Sequence, residues 1–364
     1  MQKETIFFKK NFLIYGFGKS GYASYKFLCK KNDCKIIDDN KKNIPSKYSH
    51  KTINHKQLKK NNFDYIVISP GIDVNKCSLS RYLKKNSSKV ITELDIFYLS
   101  YPNIKKITIT GTNGKSTTSK LLYDVLKEHR KDVRLTGNIG SPALLETNLS
   151  NNTLFIIEAS SYQLEYSKFF KSEYSLILNL SPDHLERHGS FENYVKVKFK
   201  LIKTQSKNSY AFIENKNYLL NNLIKKNKIN SKIFRVNYKK YQKYNKMITN
   251  DYFMNVSNFK NLSFIFAISK NLKLSLKKII NVANKFKQLN FRQQIIYRSK
   301  KLIIINDSKS TTLSSTLPLL ESFKNIYWIL GGMAKRGDQL KLRKENFRKI
   351  KAYIYGKDKL FFSK

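Results

Sequence analysis

Lys106-Ile107-Thr108-Ile109-Thr110-Gly111-Thr112-Asn113-Gly114-Lys115-Ser116-Thr117-Thr118 decides the reading of this 364-residue chain. Its apolar, β-branched first half is the pattern of a buried strand. A glycine turn follows and opens into a helix predicted over 115–131, with Leu121, Leu122, Val125 and Leu126 on one face. Strand, glycine turn and helix start make a phosphate site for a physical reason. The N–H groups of the turn and of the first helical turn have no intrahelical partner and point outward. Lys115 adds a positive charge, and the Ser116 hydroxyl can sit on a magnesium ion. The full P-loop pattern wants a glycine where Ile109 stands, so this is a shorter variant of the loop.

Further strands carry polar groups at their carboxyl ends. Residues 153–157 form an apolar run ending in Glu158-Ala159-Ser160-Ser161-Tyr162-Gln163-Leu164-Glu165. A carboxylate at the end of a strand beside a P-loop strand is where a magnesium-linked acid belongs, and an idle one is costly when buried. Residues 175–180 end in Ser181-Pro182-Asp183-His184, and a glycine-punctuated loop, Thr136-Gly137-Asn138-Ile139-Gly140, lies between. Residues 191–203 are predicted helical. Lys198 is one of several lysines there, and spacing gives no reason to choose it. Residues 258–269 and 277–286 are also predicted helical.

Before this core, residues 11–15 read as a strand running into Gly16-Phe17-Gly18-Lys19-Ser20-Gly21, a complete G-x-G-x-x-G. A second strand ends in Asp38-Asp39. This βαβ unit with a terminal acid is the dinucleotide fingerprint, and by itself it reads as a nicotinamide site or a sugar-nucleotide pocket. A third strand, 65–69, ends in Ser69-Pro70-Gly71 at the same edge. After the core, strands predicted at 301–306, 325–330 and 351–355 read as a second open α/β unit of three parallel strands with an uncovered face.

Composition narrows the class. With 70 Lys and Arg against 25 Asp and Glu the net charge is +45. Lysine supplies most of it, spread over the whole length, whereas a nucleic-acid module clusters its cations with aromatics on one face. No nucleic-acid partner is expected. No stretch reaches the roughly 18 apolar residues of a membrane span. Met1-Gln2-Lys3-Glu4-Thr5 shows no signal-peptide pattern, and three scattered cysteines fit no disulfide framework. A cytoplasmic setting with no membrane partner follows.

The motifs taken together resemble the Mur ligase family. The resemblance rests on residues 110–117, 137–140 and 158–165, Asp183-His184, Phe291-Arg292, Asn306-Asp307-Ser308-Lys309-Ser310-Thr311, and Gly331-Gly332 with Lys335. It implies an α/β, three-domain architecture: a Rossmann-like domain over 1–102 for a UDP-sugar, a P-loop ATPase-like domain over 103–290, and a Rossmann-like domain over 291–364, expected to be incomplete. It implies a monomeric ATP-dependent ligase that joins D-glutamate to UDP-N-acetylmuramoyl-L-alanine through an acyl phosphate. ATP would meet Gly111, Thr112, Asn113, Gly114, Lys115, Ser116 and Thr117, with Asn258, Arg292 and Asp307. Two Mg2+ ions would be held by Ser116, Glu158, His184 and a carbamylated Lys198. Ser20, Asp38, Asp39, Ser69, Gly71, Asn138, Ser160 and Thr311 would meet the substrates. Lys115, His184, Lys198, Lys309 and Lys335 would serve the chemistry. Met333-Ala334 depart from the acid and glycine usual before that last lysine. The family's final domain continues past residue 364, so a homologue that binds ATP and UDP-sugar without ligating is the alternative.

Overall fold

A computed structural model describes residues 6–335, 338–340 and 342–363; the Met1–Thr5 stretch lies outside them. Fourteen strands among the described residues fall into four sheets. The first sheet holds β1 (Asn11–Tyr15), β2 (Asp33–Ile37), β3 (Tyr65–Ile68) and β4 (Val90–Ile91) in the order β2-β1-β3-β4. All its pairings are parallel. Phe12, Leu13, Ile14 and Tyr15 are wholly buried, as a central parallel strand covered on both faces requires. The chain leaves β1 toward β2 and returns to pair β3 on its other side. That places residues 16–21 at the topological switch point, where open α/β sheets bind ligands. A Cβ on Gly21 would meet the Gly16 carbonyl oxygen at 1.9 Å, so glycine is needed for the helix Lys19–Leu28 to approach its strand.

The second sheet is larger and also parallel: β5 (Lys105–Thr110), β6 (Val133–Gly137), β7 (Leu154–Glu158), β8 (Tyr174–Ile177), β9 (Tyr210–Glu214) and β10 (Lys232–Val236), in the order β10-β9-β8-β5-β7-β6. The central place belongs to β5, between β7 and β8. The helix after it, Lys115–Glu128, buries Leu121, Leu122, Val125 and Leu126 as the spacing predicts, but ends before residue 131. Arg130 there takes a φ of 53°, which turns the chain out of the helix. Leu262, Ile265 and Ile268 of the helix Val256–Asn271 and Ile279 of Leu276–Lys285 complete that core.

The first two sheets share a hydrophobic cluster that runs from Phe12 and Ile14 through Phe97 to Phe155 and Leu164. The helix Glu93–Ser100 is the seam. Its Thr92 cap and Asp95 form a reciprocal capping box, and Asp95 reaches further. Its Oδ1 accepts from the Ser167 hydroxyl and from the backbone amides of Lys168, Phe169 and Phe170, all within 3.0 Å.

The last unit differs from expectation. A strand absent from the sequence reading, β11 (Gln294–Arg298), pairs antiparallel with β12 (Ile303–Asn306). The turn between them closes when the Ser299 amide donates to the Leu302 carbonyl at 2.8 Å. β13 (Ile326–Gly331) pairs parallel with β14 (Ile350–Tyr355), in a sheet of its own. The three predicted strands therefore do not form one parallel sheet among the described residues. The short hairpin turn captures β12 locally, and the connection through the helix Leu313–Ser322 leaves β13 to pair only onward.

Candidate active site

β5 ends at Thr110, and the loop after it depends on two glycines. Gly111 has φ 150° and Gly114 φ 80°. A Cβ at residue 114 would sit 2.3 to 2.7 Å from the side-chain amide of Asn261, on the helix Val256–Asn271. Asn179, just past β8, staples the loop from the other side. Its Oδ1 accepts from the Asn113 amide at 2.8 Å and its Nδ2 donates to the Asn113 carbonyl at 2.9 Å. Thr112 is held by the Ser181 backbone, and its hydroxyl lies 3.1 Å from that of Tyr194. The Lys115 ammonium donates to the carbonyls of Gly111 and Thr112 at 2.9 and 2.6 Å. Burial lowers the Lys115 pKa; Glu158 and Asp183 oppose the shift, while Arg292 and Lys335 add to it. Ser116 and Thr117 are buried behind it, Thr117 with its hydroxyl 3.2 Å from that of Tyr252.

β7 delivers Glu158 beside this loop, in register with Ile109 and Gly137. The carboxylate is wholly buried. Oε1 accepts from the Asn138 amide at 2.9 Å, and Oε2 has no hydrogen-bond partner. A buried, half-satisfied carboxylate oxygen is costly in a protein interior, and a cation is the group that relieves it. The helix Phe191–Lys203 contributes Lys198, 1% exposed, with Nζ 3.2 Å from the Thr110 hydroxyl and 4.6 Å from the centre of the Tyr194 ring. Burial, and then the charge of Lys115, hold its pKa well below the usual lysine value; Asp183 and Glu158 pull the other way. The neighbouring lysines 196, 200 and 203 are exposed or half-buried, so packing makes the choice that spacing could not.

His184 caps the helix Leu185–His188 in a left-handed conformation, φ 54°. Nδ1 lies 2.8 Å from the Tyr162 hydroxyl and Nε2 3.4 Å from Asp183 Oδ2. Burial lowers the imidazole pKa, against the pull of Asp183. In the tautomer that carries its proton on Nδ1, facing Tyr162, Nε2 has the lone pair that a metal needs. No group of three or more His, Cys, Asp or Glu side chains placed for a metal occurs among the described residues. Ser116 and Lys198 are further buried polar side chains at this sheet edge. The orphaned Glu158 oxygen is the feature that fits a cation most directly.

The last unit reaches this group. Lys335 Nζ donates to Asp183 Oδ1 at 2.9 Å and to the Thr311 hydroxyl at 3.1 Å. The Ser315 hydroxyl donates to Asn113 Oδ1 at 3.0 Å. Asp307 accepts from the Gln293 amide at 2.9 Å and from the Ser310 hydroxyl at 2.6 Å, and burial raises its pKa. Asn258 Nδ2 donates to Gln293 Oε1 at 2.9 Å, beside a cavity of about 370 Å³ bordered by Tyr252, Asn258, Gln293 and Ile305. Lys309 stands apart, 5.9 Å over the Phe291 ring.

In the first unit the predicted residues gather around the glycine loop. Ser69 donates to the Gly16 carbonyl at 2.7 Å. Asp38 Oδ2 accepts from the Phe17 amide at 2.6 Å, and Asp39 from the Tyr15 hydroxyl at 2.6 Å. Burial acts to raise the Asp39 pKa, but bonds from Ser78 and Tyr15 outweigh it and hold it low. Ser20 bonds to Glu93, which also accepts from the Ala143 and Leu144 amides; burial pushes that carboxyl up to about 7. Gly71 borders a cavity of about 340 Å³ with Tyr162 and Arg187. Ser160 caps the helix Ser161–Glu165, accepting from the Gln163 amide at 3.3 Å. Sequence reasoning missed Asn179, Tyr194 and Glu93. Asn179 follows an ordinary apolar run and Tyr194 lies near the start of an amphipathic helix, and only tertiary packing turns them to the loop.

A phosphate loop, a buried strand-end acid and a buried lysine converge on one sheet edge. The pattern described as Mur ligase middle domain matches residues 109–292, the stretch that carries them. This chain belongs to the Mur ligase family. Among its relatives, a UDP-N-acetylmuramoylalanine--D-glutamate ligase of Rickettsia bellii is 31% identical over 384 residues, spanning 99% of this chain and 84% of that one. A protein of the same name from Fusobacterium nucleatum is 32% identical over 372 residues, spanning 95% and 82%. A solved Neisseria meningitides UDP-N-acetylmuramate:L-alanyl-gamma-D-glutamyl-meso-diaminopimelate ligase superposes with TM-score 0.53 at 14% identity, over 78% of this chain and 99% of that one. A Thermotoga maritima MurF ligase in complex with ADP gives 0.53 at 15%, over 77% and 72%. At those identities the two structures speak for the Mur ligase fold alone.

Proposed function

We propose that this Mur ligase uses ATP to add D-glutamate to UDP-N-acetylmuramoyl-L-alanine, in cytoplasmic peptidoglycan precursor synthesis and as a monomer. The observation that carries the acceptor choice is near-full-length similarity, above 30%, to several chains bearing that name. In this reading residues 1–102 take the UDP-sugar, 103–290 the ATP, and 291–364 part of the D-glutamate site. No helix among the described residues is long and apolar enough to cross a membrane.

Each part of the chemistry has residues suited to it. Loop amides and Lys115 would hold the β- and γ-phosphates, with Lys115 giving up its loop carbonyls for them. Asn258, Arg292 and Asp307 would take the nucleoside, its base entering the cavity beside Asn258. Magnesium, two ions in this reading, supplies charge neutralisation on the transferring phosphoryl group. Ser116, Glu158, His184 and Lys198 would hold it. A neutral buried lysine amine adds to carbon dioxide, losing a proton and gaining a carboxylate, and burial, by lowering the Lys198 pKa, favours that neutral amine. The substrate's L-alanyl carboxylate attacks the γ-phosphorus and displaces ADP. The D-glutamate amine then attacks the acyl carbon and phosphate leaves. Lys335, which bonds to Asp183 and to the Thr311 hydroxyl, would with Thr311 meet that phosphate and the incoming amino acid. Lys309 would have to leave the Phe291 ring to join them.

Labelling the L-alanyl carboxylate of the substrate with 18O tests this route. One labelled oxygen should appear in released phosphate; unlabelled phosphate formed alongside ligated product would reject the acyl phosphate.

A further inference from the structure

Arg187 lies outside the motifs of the candidate site, yet it is heavily engaged at the rim of the cavity beside Gly71. Its side chain is 7% exposed. Nε donates to Glu165 Oε2 at 2.8 Å, and a terminal amine donates to the Ile72 backbone carbonyl at 2.5 Å. The rings of Tyr162 and Tyr166 flank the guanidinium at 5.3 and 5.5 Å. A planar fork with fixed donors holds two partners in one geometry in a way a lysine cannot.

Its partners belong to two different units. Glu165 closes the segment that begins with Glu158, and Arg187 itself sits three residues after His184, whose carbonyl accepts its amide at 3.1 Å. Ile72 follows the Ser69-Pro70-Gly71 turn of the first sheet. Its side chain lies against Gly16, 3.3 Å from where a Cβ there would stand. Two weaker ties run parallel: the Val74 amide donates to the Tyr166 hydroxyl and Lys76 donates to the Glu186 carbonyl, both at 3.2 Å. Gly71, Tyr162 and Arg187 border one cavity, so this strap crosses the path between the glycine loop and His184.

We propose that Arg187 is a positioning residue that fixes the UDP-sugar turn at residues 69–72 against the segment carrying Glu158 and His184. It thereby sets where the muramoyl end of the substrate stands relative to the transferring phosphoryl group. The inference rests on the function proposed above. It makes no contact with the phosphate loop, which predicts a selective defect.

Arg187→Met and Arg187→Lys separate this from a general packing role. For each, titration calorimetry gives the Kd of UDP-N-acetylmuramoyl-L-alanine and, separately, of a non-hydrolysable ATP analogue; steady-state assays give kcat and KM. Arg187→Met should weaken the UDP-sugar at least tenfold and lower kcat at least tenfold, with the analogue's Kd within about twofold. Arg187→Lys, which reaches one partner at a time, should recover less than half of the loss on a logarithmic scale. Tyr166→Phe, which removes a parallel tie without burying an unpaired charge, covers the case in which Arg187→Met fails to fold; it should weaken the UDP-sugar two- to fivefold and spare the analogue. Unchanged UDP-sugar Kd and kcat in folded variants would overturn the proposal. Equal loss of both ligands would overturn it in favour of plain packing. A wild-type chain that binds the analogue but not the UDP-sugar would instead reject the function reading, and this inference with it.

Discussion

Glu158 and Lys198 mark the two ends of what single residues disclose. Glu158 was legible because an apolar strand ending in an acid, beside a phosphate-loop strand, leaves that acid nowhere neutral to go. Lys198 was named by the family resemblance alone: its helix FENYVKVKFKLIK offers four lysines, spacing chooses none of them, and packing against Tyr194 and Thr110 is what removes one from water. Glu158→Gln should cost at least 100-fold in ATP-dependent turnover. Its melting temperature should hold or rise, because an unsatisfied buried carboxylate is replaced by a neutral amide; turnover and a thermal melt check both. Glu93 gives a pH signature. Its carboxyl titrates near 7 when folded, above the ordinary glutamate value of 4.5, so the folded chain binds the extra proton between those values. The Glu93 contribution to stability should therefore fall as pH rises from about 4.5 to 7 and level off above, opposed in wild type by His188, whose pKa burial lowers to about 4. Glu93→Gln removes that loss, so its advantage over wild type should grow from pH 5 to pH 8, toward an order of 3 kcal/mol. Urea titrations at the two pH values measure it.

Elements were more legible than residues wherever one period governs a segment. Strands such as β1, β3, β7 and β8, and helices such as Phe191–Lys203, follow from apolar runs and from spacing, whereas the two-residue β4 and the half-polar β6, VRLTG, do not. The hairpin of β11 and β12 did not, because Gln294–Arg298 is only half apolar and its partner is chosen by the turn at residues 299–302. The seam helix Glu93–Ser100 hid its main function for a similar reason. A capping box is visible in Thr92 and Asp95, but nothing local shows that Asp95 also gathers the amides of residues 168–170. Asp95→Asn sets an NH2 group against one of two sets of donors, the Thr92 cap or residues 167–170. The loss should be about 3 kcal/mol of unfolding free energy, read from the urea midpoint.

On the scale of the whole molecule, the account requires three units to act on one reaction centre. The first and second share a core and the Asp95 and Arg187 ties. The third reaches across through Lys335 to Asp183 and Ser315 to Asn113. Lys335→Met should leave ATP binding within a few-fold while lowering turnover at least 100-fold, as measured by calorimetry and a coupled assay. The resemblance named Asn113, Asp183 and Lys335 for that centre, but the pairings of Lys335 with Asp183 and of Ser315 with Asn113 come from the fold, since nothing local in the sequence links residues so far apart. The +45 net charge suits a cleft whose substrates are all anions. The most direct test is phosphate release from ATP by the 364-residue chain with UDP-N-acetylmuramoyl-L-alanine, with and without D-glutamate. Release that depends on D-glutamate and matches product mole for mole is the predicted result; ATP binding with no D-glutamate-dependent release would contradict the ligase assignment.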